Sequence, residues 1–377
     1  MVEFSTLQQG RESTPDLPTG PIIGGMKSSI HRSRKLLCLL FLLALSFPSV
    51  AWNAAGHRLI AQIAWQRLDE SSRAAIGKLL HRHPDYQHWQ TQGLEDDKYL
   101  NAFVEASTWP DDIRKDARFY SVGEAPTPTL AGFPDMERRR HWHYVDRPIP
   151  SAGRYPPSDG TLDVQLAALL DTLSRRHTPT VERVYALPWL IHLVGDAHQP
   201  LHVASRYSVD GRGDRGGNEL TIDNPFATAH DPADNLHRYW DGLPGAPWLR
   251  GERLMQRAEA LMQRYPPNGH DMDQPGSTPT QPFPPHPRLL SHPEKAGEDE
   301  LLRARCGTAW PGSPSQWLLE SWRIAERDAY PPGNAAVPTI SAEFDARSKE
   351  IARQRIVLAG YRLAGLLQCL LRSSGLR

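Results

Sequence analysis

Residues 191–202 read IHLVGDAHQPLH. His192 and Asp196 stand four apart, so on a helix they share one face, like two ligands of a helical zinc motif. Pro200 ends such a helix and turns the chain, and His202 follows within reach. Residues 237–241, HRYWD, repeat the spacing with His237 and Asp241. One helical His/Asp pair is usually a surface or core polar contact. Two pairs, with a third histidine beside the first, point to a metal centre on a helical scaffold. Neutral imidazole and carboxylate both suit Zn2+.

Outward from this stretch, helical periodicity dominates. After Trp52, residues His57, Ile60, Ala61, Ala64 and Leu68 fall on one face. Further helices are expected over 71–81, 98–109, 161–174, 180–194, 251–264, 315–329 and 341–371. Thr161 and Thr180 are placed as caps, and Pro188 should kink its helix. Strand signal is weak. The best candidate is a ribbon pairing 203–209 with 218–222 through the glycine-rich DGRGDRGG. Residues 265–298 are crowded with Pro, Gly, Ser and His and read as a surface insertion, since helices resume afterwards. The fold class expected is therefore mainly all-α, a single-domain helical bundle with a short β-ribbon over residues 52–377.

The front of the chain reads differently. Residues 26–51 carry a basic start (Lys27, Arg32, Arg34, Lys35), an apolar run from Leu36 to Phe47 and the small-x-small end Ser49-Val50-Ala51. That order is a secretory signal peptide, and the run is too short to span a membrane. Met26 is the expected start, with residues 1–25 an added or disordered extension. Cleavage is expected between Ala51 and Trp52. The product would be periplasmic or secreted, monomeric and without a membrane anchor. No Asn-x-Ser/Thr sequon occurs.

The 377 residues hold 43 Lys+Arg and 43 Asp+Glu. Residues 1–51 take five basic and three acidic residues, leaving 38 against 40. A basic footprint that would hold nucleic acid by itself is excluded. Positive charge for phosphate would have to come from metal, and 16 histidines make that the first suspect. Cys38 leaves with the leader. Cys306 and Cys369 remain, an even number in an exported chain, either as a disulfide or as two buried thiols. No Cys-x-x-Cys exists to hold zinc.

Two more segments carry suitable residues: STWPDDIR (107–114), with Asp111 and Arg114, and HWHYVD (141–146). Alone, each also reads as helix-end charges around core tryptophans. In order, WNAAGH, STWPDDIR, HWHYVD, HLVGDAHQPLH, GGN and NLHRYWD resemble the mung-bean-nuclease family. These are secreted, zinc-dependent single-strand nucleases and 3′-nucleotidases. The resemblance runs over essentially the whole mature chain, and it implies a helical bundle with three zinc ions per chain. Asp111, His143, His192 and Asp196 would hold one zinc. His202, His237 and Asp241 would hold a second. Trp52, through its free α-amino nitrogen and carbonyl oxygen, would hold the third with His57, Asp196 bridging. Arg114 would neutralise charge on phosphorus, with Asp111 beside it. Tyr144 would stack a base, Asp146 would bond its edge, and Asn218 would touch the nucleotide. The implied partners are single-stranded DNA and RNA and 3′-mononucleotides, cleaved to leave 5′-phosphates.

Two rival readings remain. A zinc phospholipase C of the same fold also begins at a tryptophan, but ends in a closer-spaced Glu where this chain has His237 and Asp241. A non-catalytic zinc-binding or adhesion protein would normally close its sites with four ligands. His198 lies two residues past Asp196, off the ligand face, and His141 is likewise not expected to be a ligand. The Arg212-Gly213-Asp214 tripeptide is discounted.

Overall fold

The computed structural model describes residues 52–94, 96–149, 155, 158–228, 232–267, 306 and 312–375. The signal peptide, the Met26 start and nearly all of the 265–298 insertion lie outside the described residues. The elements are α1 (Ala54–Arg67), α2 (Glu70–Leu80), α3 (Tyr86–Gln92), α4 (Lys98–Ala106), α5 (Trp109–Asp112), a 3-10 turn (Arg140–His143), β1 (Arg147–Ile149), α6 (Leu162–Ser174) and α7 (Thr180–Asp196). Then come a 3-10 turn (Pro200–His202), β2 (Ala204–Arg206), α8 (Leu236–Gly242), α9 (Gly251–Arg264), α10 (Pro314–Ile324), a π turn (Ala325–Ala329) and α11 (Ala342–Ser374).

The all-α expectation holds, and the differences have local causes. The helix expected over 98–109 breaks into α4 and α5 at Ser107 and Thr108. Pro110 has no N–H for the Ser107 carbonyl, and the Asp111 N–H turns to Thr108 instead. α7 runs through Pro188, and its N-cap is Pro179, so Thr180 is inside the helix and caps nothing. Thr161 is the N-cap of α6 but makes no capping hydrogen bond with its side chain.

The expected ribbon is not formed. β2 pairs in parallel with β1, Arg147 opposite Ala204 and Ile149 opposite Arg206. Past β2 the chain curls back on itself. The Asp214 carboxylate accepts from the Arg206 N–H (3.0 Å) and the Ser205 hydroxyl (3.0 Å), so only Tyr207 and Gly213 form a bridge. Thr221 and Asp223 bridge instead to Asn235 and Thr339.

α1 and α11 form the most extensive helix pair, with α6 and α7 packed together beside them. α11 is long and apolar enough to cross a membrane, but 72 % of its most apolar window is buried, as suits a core helix. Cys306 and Cys369 form a disulfide that ties residue 306 to α11, Cα–Cα 5.3 Å. A second anchor is aromatic. Trp109 lies among Phe119, Phe133, Tyr185 and Trp189 and donates its indole N–H to Asp85, 2.7 Å away. Trp109 is thus a core residue, and it fixes the turn that carries Asp111.

Beneath the end of α7 lies a buried ionic network. Glu320 of α10 pairs with Arg355 (2.9 Å) and Arg362 (2.7 Å) of α11. Arg355 also donates to the His198 carbonyl and the Ser321 hydroxyl, and Ser321 donates to the Ala197 carbonyl. Glu320→Ala would leave two buried guanidinium groups without their carboxylate. It is expected to cost about 3–5 kcal/mol in a denaturant titration; a loss under about 1 kcal/mol would contradict this account.

Candidate metal centre

Four segments converge on one buried cluster: α1, α5, the 140–149 segment and the stretch from α7 through His202, with α8 closing it. Two close approaches are set by glycine. A Cβ on Gly195 would lie 2.8 Å from His57 Nδ1, so glycine lets α1 bring His57 beside Asp196. Gly216 (φ +63°) would place a Cβ 2.3 Å from the Leu201 carbonyl oxygen, and its own carbonyl accepts from His237.

The imidazoles are oriented from behind. The Nδ1–H groups of His192, His202 and His237 donate to the carbonyls of Ser107, His143 and Gly216, each at 2.7 Å. Ser107 has its carbonyl free because α4 ends there. With Nδ1 carrying the hydrogen, each Nε2 presents a lone pair inward. The His202 and His237 Nε2 atoms then face each other at 3.2 Å, and His192 Nε2 faces His143 Nδ1 at 3.0 Å. Asp196 lies 3.1 Å from His143, 3.3 Å from His192 and 3.4 Å from His57. Asp111 lies 3.8 Å from His143 and 3.9 Å from His192, and Asp241 lies 3.4 Å from His237 and 3.8 Å from His202.

Three groups of donor atoms, each within 4.8 Å, result: His57, His192 and Asp196; Asp111, His143 and His192; His202, His237 and Asp241. Opposed lone pairs repel unless a proton or a cation lies between them. Protons are disfavoured in the second pair: burial, then His202, pushes His237 down to about 3, and burial pushes His202 down as well. Burial raises the Asp241 carboxyl well above the usual range, and nearby Asp111 and Asp196 add to it. His57 has no hydrogen bond on either ring nitrogen. Buried donors of this kind fit a cation in each group.

The other expected residues are placed as follows. Trp52 is fully buried against Gly56, and the Asn53 N–H donates to the Asp241 carbonyl at 3.0 Å, which docks the start of α1 on α8. The Arg114 Nε lies 3.3 Å from Asp111, and the side chain is buried. His198 bonds Val194 and Arg362, and His141 is in none of the donor groups. Tyr144 and Asp146 are half-buried next to Asp159, and burial followed by Asp159 raises both, Asp146 to about 7. Asn218 turns an amide N–H to the Arg215 carbonyl of its own loop, 2.7 Å. Sequence reasoning missed Gln199, which donates to Asp241 at 2.8 Å. Its place between Asp196 and His202 was the available signal.

The family model described as S1/P1 Nuclease matches residues 52–372. The chain belongs to the S1/P1 nuclease family. It is 27% identical over 231 residues to Endonuclease 1 of Arabidopsis thaliana, covering 57% of this chain and 62% of that protein. It is 25% identical over 205 residues to Nuclease S1 of Aspergillus oryzae, covering 53% and 56%. The chain spans about six-tenths of the length of the curated relatives it matches. The family match begins at Trp52, the residue expected after leader cleavage, and takes in every donor group.

This S1/P1-type centre has a pH signature when stripped of metal. Burial lowers His57 to about 4 and His143 and His237 to about 3, and lowers His202 too. The unfolded chain protonates these near ~6.5, so it binds more protons as pH falls below that value. His192, Asp146 and Asp241, all raised, work the other way but are fewer. The melting temperature of chelator-stripped protein should therefore fall from pH ~6.5 towards 4; a flat or rising profile would refute the assignment.

Proposed function

We propose that the chain is an exported, zinc-dependent phosphodiesterase. It hydrolyses single-stranded DNA and RNA to 5′-phosphate products and acts as a 3′-nucleotidase. The observation that carries this reading is the three buried groups of imidazole and carboxylate donors, with the proton-poor His202 and His237 nitrogens facing each other, within a chain of the S1/P1 nuclease family. The donors are nitrogen and oxygen only, a set that suits zinc.

Asp111, His143, His192 and Asp196 would hold one ion, and His202, His237 and Asp241 a second. Once the leader is removed, the Trp52 α-amine and carbonyl would join His57 for a third, with Asp196 shared. When bound, three zinc ions supply the positive charge that the neutral chain lacks and acidify water towards pKa ~7. Arg114, steadied by Asp111, offers a planar guanidinium to phosphoryl oxygens as their charge grows. Tyr144 gives a ring for one unpaired base, and a base inside a duplex is not free to reach it. Asp146, held near pKa 7, can donate to or accept from a base edge at neutral pH. Asn218 completes the nucleotide's surroundings. Residues 52–377 form the working domain, with 1–25 an added or disordered extension, 26–51 a leader that is removed, and 265–298 an insertion. The disulfide agrees with an oxidising compartment, periplasmic or extracellular.

Protein with Trp52 verified as its N-terminus is incubated with single-stranded DNA, RNA, a 3′-mononucleotide and phosphatidylcholine, with and without chelator. The expected result is about three zinc per chain and chelator-sensitive cleavage of the nucleic acids to 5′-phosphates. Zinc without nucleic-acid cleavage would sink the reading, and lipid turnover would then favour the phospholipase. Arg114→Ala should lower kcat by about 10²–10³-fold with zinc content unchanged, and Arg114→Lys should rescue little.

A further inference from the structure

The acidic end of the Arg212-Gly213-Asp214 tripeptide is not turned to solvent. Asp214 is half-buried, and its Oδ1 accepts three hydrogen bonds: from the Ser205 hydroxyl (3.0 Å), the Arg206 N–H (3.0 Å) and the Tyr330 hydroxyl (3.2 Å). Its own N–H donates to the Arg206 carbonyl at 2.9 Å. Gly213 permits this approach, since a Cβ there would lie 2.9 Å from the Tyr207 ring and 3.2 Å from Ser205 Oγ. Three donors on one charged oxygen hold the carboxylate in place, so it is not free to meet a partner at the surface.

The Ser205 hydroxyl carries the line of bonds inward. It is buried, donates to Asp214 and accepts from the Gly216 N–H at 3.1 Å. The Gly216 carbonyl in turn accepts from the Nδ1–H of His237 at 2.7 Å. Gly216 is thus gripped at both its polar groups. Ser205 lies on β2, three residues past His202, so its hydroxyl sets the gap between the strand that follows one ligand and the loop that aims the other. Across that gap the His202 and His237 Nε2 atoms approach to 3.2 Å. At the outer end, Tyr330 directly follows the π turn, whose Ala329 carbonyl accepts from the Trp240 indole N–H at 2.9 Å. The same turn therefore steadies α8 next to Asp241. His192, by contrast, is oriented by the Ser107 carbonyl, outside this line.

We infer that Asp214 and Ser205 are positioning residues for the cation held by His202, His237 and Asp241. They orient the His237 ring through Gly216 and keep it at its distance from His202. This rests on the metal-dependent reading above. Hydrogen bonds behind a ligand fix its ring orientation, and losing one typically weakens metal binding by about 10–100-fold. Asp214 and Ser205 act one step further back, so the lower end of that range, about tenfold, is expected. Because the links act in series, breaking a second one adds little to breaking the first.

The test titrates chelator-stripped protein, Trp52 at its N-terminus, with zinc against a competing chromophoric chelator. A parallel titration uses cobalt(II), whose visible spectrum reports its coordination. Wild type is expected to take up one ion at each donor group. In Ser205→Ala and in Asp214→Ala one ion is expected to bind about tenfold more weakly with altered cobalt bands, while the others keep wild-type affinity and spectrum. The double variant should weaken that ion no further than the larger single loss. In a His237→Ala background neither change should weaken any remaining ion. Unchanged affinities in both single variants overturn the inference. So do losses that add in the double variant, or that fall on every ion alike, which would mean a general structural role. Should Asp214→Ala fail to fold, Ser205→Ala, the loss of one hydroxyl, carries the test alone and with His237→Ala. Wild type that binds no zinc overturns the metal-dependent reading and the inference with it, a result distinct from full zinc uptake that Ser205→Ala leaves untouched.

Discussion

Opposed lone pairs at the heart of the bundle are the constraint on which the rest depends. Three imidazoles each donate a backward hydrogen bond to a backbone carbonyl and are left facing other nitrogens and carboxylates across about 3 Å. Burial disfavours the protons that would relieve the contact between His202 and His237. Cations would relieve the cluster, and the helices can be viewed as holding a repulsive set of groups in place. Break points in secondary structure serve this end. The interruption at Ser107 frees the carbonyl that orients His192, and the parallel pairing of β1 with β2 lays His143 next to His202.

The second layer is ionic and lies on the far side of the same chain segment. Arg355, Ser321 and Arg362 grip residues 197–198, between ligands Asp196 and His202. The turn that aims two donor groups is held by side chains more than 120 residues further on. Glu320 neutralises both arginines, so the grip survives burial. Trp109 does the same for Asp111 by apolar means, within a cage of rings.

Legibility in the sequence followed from how local each feature is. The pairs His192/Asp196 and His237/Asp241 could be read because helical spacing alone puts them on one face. The helices themselves could be read from periodicity, apart from their ends. Asp111 and His143 carried no such local mark, and only the resemblance pointed to them. The ribbon after Val203 was misread because the partner of β2 lies 57 residues earlier, and the Asp214 side chain, not strand propensity, decides where the loop turns. Gln199 and the three orienting carbonyls depend on tertiary neighbours and have no motif. His198, not expected to be a ligand, bonds the Val194 carbonyl and Arg362.

Every candidate metal ligand lies between residues 52 and 241, yet the helix packed most extensively on α1 is α11, the last to be made. Among the described residues, the first helix depends on the last to cover much of its apolar face. Such long-range closure is slow to form and leaves little partial structure worth keeping. A ribosome that has passed residue 241 has therefore produced every candidate ligand before the helix that packs most extensively on α1. The order of synthesis thus separates the making of the ligands from the packing that holds the helix of His57 in place.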